Sequence, residues 1–150
     1  MKIKKGTIKD INTIADIEWK SGYKWNKNKE ECIKLAKRLF DEGYCDIYIL
    51  YIKEPAGYFA MAFNKNKKVC YINYFAIKKQ YQGKGLSKIM IKKAIDISKK
   101  SKCKEIELAV WNKNFPAISL YNKFGFFVFD IKRDKYPNGD NKLKMRKEII

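Results

Sequence analysis

The residues Gln82-Gly83-Lys84-Gly85-Leu86-Ser87 carry the clearest binding chemistry in the chain. Glycines let successive backbone N–H groups converge on one point, and a helix starting at Leu86 adds unpaired donors and partial positive charge. Together they make an anion cradle. Lys84 and Lys88 stand where phosphates would dock on it. From Lys78 to Lys104 the chain has ten lysines and a single acidic residue, Asp96; the lysines beyond the first helical turn read as a solvated face. A P-loop would need G-x-x-x-x-G-K-[ST], which is absent, and the dinucleotide fingerprint G-x-G-x-x-G fails because Lys88 fills the third glycine position. The pattern Q-x-x-G-x-[G/A] is met by Gln82, Gly85 and the small Ser87, although a glycine turn before a helix is common in itself.

The other reactive residues narrow the chemistry by what is missing. There is no histidine, which excludes Ser-His-Asp and Cys-His catalysis and any zinc site needing imidazole. Cys32, Cys45, Cys70 and Cys103 are widely spaced with no C-x-x-C pair, so no metal site and no redox motif is expected. Lys+Arg number 34 against 16 Asp+Glu, a formal charge of +18. Only Arg38, Arg133 and Arg146 are arginines, whereas nucleic-acid recognition favours arginine for bidentate contacts. Composition therefore accounts for most of the charge; nucleic acid is a possible partner but not the favoured one. Apolar runs such as Ile47–Ile52 are too short for a signal peptide or a membrane span. The expectation is a soluble, reduced, cytoplasmic protein with no membrane partner.

The elements that must position the turn follow from periodicity. At 150 residues and 46% hydrophobic, one α/β domain over 1–150 is expected. Lys2–Ile8 reads as a strand, and Asp10 as the N-cap of a helix with Ile11, Ile14 and Ala15 on one face. A second helix carries Ile33, Leu35, Ala36 and Leu39-Phe40 and ends at Gly43. Asp46–Ile52, Gly57–Phe63 and Val69–Ile77 read as an antiparallel meander. The glycine turn then opens a helix over Leu86–Lys100 with a buried stripe of Leu86, Ile89-Met90, Ala94 and Ile97. A strand at Glu105–Val110, a helix over Phe115–Phe124 and strands at Phe126–Ile131 and Leu143–Ile149 follow.

One helix and one strand after the glycine turn comes Asn114-Phe115-Pro116-Ala117-Ile118-Ser119-Leu120-Tyr121-Asn122-Lys123-Phe124-Gly125-Phe126. This segment resembles the N-x-x-A-I-x-L-Y-x-K-x-G-F motif of the GNAT acetyltransferase superfamily. With the glycine turn at the spacing that family requires, the resemblance is specific over 72–126. Looser likeness extends it to nearly the whole chain, and it is strongest to the ribosomal-protein alanine N-acetyltransferases. Those looser features are Asp16-Ile17-Glu18 with Trp25-Asn26, Phe75-Ala76-Ile77, and Tyr136-Pro137-Asn138-Gly139-Asp140 followed by Met145. The implied architecture is a mixed, mostly antiparallel sheet of about seven strands flanked by about four helices.

The resemblance implies acetyl-CoA as co-substrate, in a V-shaped opening between Val69–Ile77 and Glu105–Val110, and no metal. Phe75, Ala76 and Ile77 would pair with the pantetheine arm through their backbone, one N–H polarising the thioester carbonyl. Gln82, Gly83, Lys84, Gly85, Leu86, Ser87 and Lys88 would hold the pyrophosphate, and Asn114 would contact the cofactor arm or cap its helix. Tyr121 matches the family's general acid, although among Ile118, Leu120 and Phe124 it also reads as a core tyrosine. The usual glutamate bases are replaced by Ala109 and Tyr71, and Glu107 would lie farther from the thioester, so no base is assigned. The expected acceptor is a primary amine, in particular a protein N-terminal α-amine, whose reference pKa of about 7.7–8 eases deprotonation. Tyr23, Trp25 and Tyr136 are candidate walls of its site. The alternatives are a small-molecule amine, with polyamines disfavoured by the positive charge, and a basic RNA- or ribosome-binding module that has lost catalysis.

Overall fold

A computed structural model describes residues 1–41, 43 and 45–149. Among the described residues, seven strands form one sheet in the order β1-β2-β3-β4-β5-β7-β6. They are β1 (Lys2–Lys5), β2 (Cys45–Tyr51), β3 (Pro55–Asn64), β4 (Val69–Ile77), β5 (Glu105–Trp111), β6 (Phe127–Lys132) and β7 (Lys142–Glu148). The helices are α1 (Ile11–Lys20), α2 (Lys29–Asp41), α3 (Leu86–Lys100) and α4 (Phe115–Lys123). β1/β2, β2/β3, β5/β7 and β6/β7 are antiparallel, while β4 and β5 run parallel. A parallel pair needs a crossover, and α3 supplies it. This is the expected mixed α/β sheet with four flanking helices.

The chain packs as two compact units. The first comprises Met1–Ala62 and Tyr74–Lys92, and the second Phe63–Asn73 and Lys93–Ile150. In the first, Ile14, Ala15 and Ile17 of α1 and Cys32, Ala36 and Leu39 of α2 bury against Ile47, Ile49, Tyr58 and Ala60. Gly57 of β3 is required by close approach: a Cβ there would meet the Ala76 carbonyl oxygen at 2.9 Å and Met90 Sδ at 3.1 Å. In the second unit, Cys70 is opposite Ile106 in the β4/β5 pairing and Met145 is opposite Leu108 across β5/β7, all four buried.

Four expectations need correction. β1 stops at Lys5 because Thr7 and Asp10 form a capping box around a short 3-10 turn at Ile8–Asp10. The Asp10 carboxylate accepts from the Thr7 amide at 2.8 Å, so it makes no side-chain cap to α1. The buried stripe of α3 is Leu86, Met90, Ile91, Ala94, Ile95 and Ser98, with Ile89 exposed and Ile97 half-buried. Apolar residues cover too much of that helix for period alone to fix its phase, and packing of Met90 beside Gly57 sets it. Finally, Cys70 and Cys103 are joined in a disulfide, contrary to the expected reduced state, while Cys32 is a buried free thiol. The parallel pairing that starts at Val69 and Glu105 brings these distant cysteines together.

Candidate active site

The first unit contains the glycine turn. β4 ends at Ile77, a 3-10 turn spans Lys79–Tyr81, and α3 begins at Leu86. Gly83 and Gly85 have φ of +75° and +80°, the left-handed region that glycine alone enters without strain. No atom lies within 4 Å of where either Cβ would be, so conformation rather than space demands these glycines. Lys84, Gly85 and Lys88 are exposed, Ser87 is half-buried and Leu86 is buried as the first core residue of α3. The Lys84 ammonium lies 5.8 Å from the centre of the Tyr81 ring.

The Gln82 side chain donates to the backbone carbonyls of Ser21 at 2.9 Å and Ile77 at 2.8 Å, tying the end of β4 and the end of α1 to the turn. One step earlier, Lys78 is only 4% exposed. Its ammonium lies 3.3 Å from Asp16 Oδ2 and 3.8 Å from Glu54 Oε1. Burial alone would raise the Asp16 carboxyl, but Lys20 and Lys78 outweigh it and hold it below the usual range. The hydrogen bond from Tyr81, and then the charge of Lys78, lower Glu54. Sequence reading missed this network because its members are scattered and each looks like ordinary surface charge.

On β4 itself, Phe75 is half-buried with its ring stacked on Phe59 at 6.3 Å, and Ala76 and Ile77 are buried. Tyr23 is 43% exposed in the segment after α1, and Trp25 is half-buried beneath the Lys24 ammonium, 5.0 Å from its ring centre.

The second unit holds the other reactive side chains. Asn114 caps α4, its Oδ1 accepting from the Ala117 amide at 3.3 Å, with Pro116 early in the first turn. Tyr121, two turns along, is 7% exposed and packs 5.8 Å from the Phe126 ring. Burial pushes its phenol well above the ordinary tyrosine value, so it holds its proton. At the end of β5, the Trp111 indole donates to Asp140 Oδ2 at 2.8 Å and its ring lies 6.4 Å from Tyr136. Asp140 thereby fixes Tyr136 of the β6–β7 connection beside the end of β5.

Neither usual base position has a carboxylate. Ala109 is exposed on β5; Tyr71 on β4 is paired with Glu107, and burial, then the charges of Glu107 and Glu105, raise its phenol. Glu107 accepts from Arg146 Nη2 at 3.0 Å, and Arg146 Nε lies 3.2 Å from Glu105 without the angle of a hydrogen bond. The Glu107 side chain is thus committed to an ion pair with Arg146. Among the described residues, no group of three or more His, Cys, Asp or Glu side chains could hold a metal ion, and no helix is long and apolar enough to cross a membrane.

A glycine turn between a strand and α3, followed at fixed spacing by the Asn114–Phe126 segment, defines a family. The model of the acetyltransferase (GNAT) family matches residues 11–126, and this chain belongs to that family. Two curated relatives come from Bacillus subtilis. A probable spermine N(1)-acetyltransferase of subspecies natto is 47% identical over 64 residues, covering 42% of this chain and 41% of that protein. A putative ribosomal protein bS18-alanine N-acetyltransferase is 33% identical over 104 residues, covering 69% of this chain and 58% of that protein. The chain thus spans less than two thirds of the length of the curated relatives it matches. The crystal structure of the ribosomal-protein-S18-alanine N-acetyltransferase from Escherichia coli has the same fold, with a TM-score of 0.84 at 20% identity over 99% of this chain and 93% of that one.

Proposed function

We propose that residues 1–150 act as one acetyl-CoA-dependent N-acetyltransferase domain whose acceptor is a primary amine, in particular a protein N-terminal α-amine. The observation that carries this reading is the glycine turn, with Gly83 and Gly85 at positive φ immediately before α3. The backbone of Gln82–Lys88, with Lys84 and Lys88, suits the CoA pyrophosphate. Phe75, Ala76 and Ile77 offer strand backbone to the pantetheine arm, and Asn114 offers its amide N–H donors while its oxygen caps α4.

The reaction is direct transfer. The neutral amine nitrogen forms a bond to the acetyl carbonyl carbon, and the C–S bond breaks. The Tyr121 phenol gives its proton to the departing sulfur, while the amine proton leaves to solvent and later restores the phenol. A neutral acid suits a buried position because burial keeps its proton in place until a thiolate develops beside it. With Ala109 and Tyr71 at the base positions, a substrate that reaches the site partly neutral is favoured, and an α-amine meets that need better than a lysine amine.

The likeness to ribosomal alanine acetyltransferases supports a protein N-terminus, and Tyr23, Trp25 and Tyr136 are its candidate walls. A second reading, acetylation of a small polyamine, is favoured by the 47% identity to a spermine enzyme. Against it stand the formal charge of +18 and the pairing of Glu107 with Arg146. A panel of short peptides with free or blocked N-termini, together with spermine and spermidine, separates the two. Turnover on free peptides alone supports the first reading. Turnover on the polyamines alone replaces it with the second. Acetyl-CoA binding with no turnover, together with salt-sensitive RNA binding, returns the chain to a basic binding module.

A further inference from the structure

We infer that Lys78 is the positioning residue of the phosphate cradle: its buried ammonium, clamped between Asp16 and Glu54, sets the run-in to the glycine turn and screens those carboxylates from the bound anion. The inference rests on the acetyl-CoA reading above and concerns a residue outside the Gln82–Lys88 cradle.

The geometry is specific. The Lys78 backbone is fixed twice, its amide donating to the Ala56 carbonyl at 2.9 Å and its carbonyl accepting from the Tyr81 amide at 2.8 Å. Its side chain crosses to α1 at Asp16, which Lys20 also pairs at 3.0 Å, and to the β2–β3 connection at Glu54. Glu54 in turn accepts from the Tyr81 hydroxyl at 2.7 Å and from the Gln80 amide at 3.3 Å, so one carboxylate gathers residues 78, 80 and 81. The next residue, Gln82, opens the cradle and is held to Ser21 and Ile77. Every residue from 78 to 82 except Lys79 is thus anchored by its side chain, and only then does the chain enter the permissive glycines. Without this anchoring, the two left-handed glycines would sample many turn conformations, and a ligand would have to fix them at an entropic cost.

Charge gives Lys78 a second effect. A dianionic pyrophosphate arriving at this end of α3 meets two carboxylates, Asp16 and Glu54, in the same unit. A nearly buried cation between them offsets part of their field, and Lys20, paired with Asp16 at 3.0 Å, offsets more. Arginine keeps the charge and reach and should largely replace Lys78, whereas methionine keeps only the apolar stem.

The test compares Lys78→Met and Lys78→Arg using two thioesters, acetyl-CoA and acetyl-pantetheine, which lacks the pyrophosphate. Lys78→Met is expected to raise KM for acetyl-CoA about tenfold with kcat nearly unchanged, to leave turnover of acetyl-pantetheine at the wild-type rate, and to be rescued by Lys78→Arg. Asp16→Asn provides a variant that retains the cation, and it should shift KM for acetyl-CoA by less. Equal loss on both thioesters, or an unchanged KM for acetyl-CoA in folded Lys78→Met, would overturn the inference. If Lys78→Met does not fold, Lys78→Gln is read by the same ratio of the two thioesters. Failure of the wild type to bind CoA would instead sink the acetyl-CoA reading, so the two failures are distinguishable.

Discussion

The hydroxyl of Tyr58 on β3 donates a 2.7 Å hydrogen bond to the carboxylate of Glu18 on α1, in an interior where Tyr58 is fully buried and Glu18 is 7% exposed. Glu18 also caps the chain that follows: its backbone carbonyl accepts from the Ser21 hydroxyl at 2.6 Å and from the Asn26 amide at 2.9 Å. One residue thus joins the core of the first unit to the segment bearing Tyr23 and Trp25.

This pair should make stability depend on pH. Burial raises the Glu18 carboxyl, and its hydrogen bonds to Tyr58 and Asn26 only partly offset that. The folded protein therefore keeps this proton to a higher pH than the unfolded chain does. The stability it contributes is full below the unfolded value and is lost as pH rises through the folded value. Urea unfolding from about pH 4 to 8 should show the wild type losing stability relative to Glu18→Gln as pH increases. A constant difference between the two proteins would contradict this. Tyr58→Phe should destabilise at all these pH values by about 1–3 kcal/mol, because it leaves a buried carboxyl short of a donor.

Substitutions at the glycines should divide by cause. Gly57→Ala places a Cβ against backbone and should cost stability, about 1–3 kcal/mol in thermal or urea unfolding. Gly83→Ala and Gly85→Ala meet no atom but force a left-handed backbone, costing about 1 kcal/mol each. Their larger effect should be weaker acetyl-CoA binding by calorimetry. Unchanged CoA affinity in both would remove the turn from the site.

Tyr121→Phe should reduce turnover by about a hundredfold or more while sparing acetyl-CoA affinity. Because burial holds the Tyr121 proton well above the ordinary phenol range, the wild-type rate should show no basic limb from this residue below about pH 10. Full activity in Tyr121→Phe would return this side chain to the core role its surroundings also allow.

The Cys70–Cys103 disulfide closes a sequence separation of 33 residues, and its reduction should lower stability by about 3 kcal/mol. Urea midpoints with and without dithiothreitol measure this. Cys70→Ser/Cys103→Ser should match the reduced wild type and respond no further to reductant; a reductant effect persisting in the double variant would place the effect elsewhere.

Much of this was legible in sequence where local chemistry decides structure. Strand β4 and helix α3 have the ends read for them, because glycines and a β-branched run mark those boundaries. Asn114 serves as the predicted N-cap, since capping needs only residues three apart. What escaped was set by packing between distant segments. The phase of α3, the Cys70–Cys103 link, the Glu18–Tyr58 pair and the clamp on Lys78 each join residues that no spacing rule connects. Asp10 does occupy the N-cap position of α1, but its side chain closes the capping box with Thr7 instead of bonding an α1 amide, because the short 3-10 turn before the helix brings the Thr7 amide to it.

N-terminal acetyl transfer is tested most directly by one assay: CoA-thiol release from acetyl-CoA in the presence of a short peptide with a free N-terminus, with the peptide mass read in parallel. One acetyl group on the α-amine is expected for each thiol released, with no release from an N-terminally blocked peptide. Equal thiol release from free and blocked peptides, or none from any amine despite bound acetyl-CoA, would contradict it.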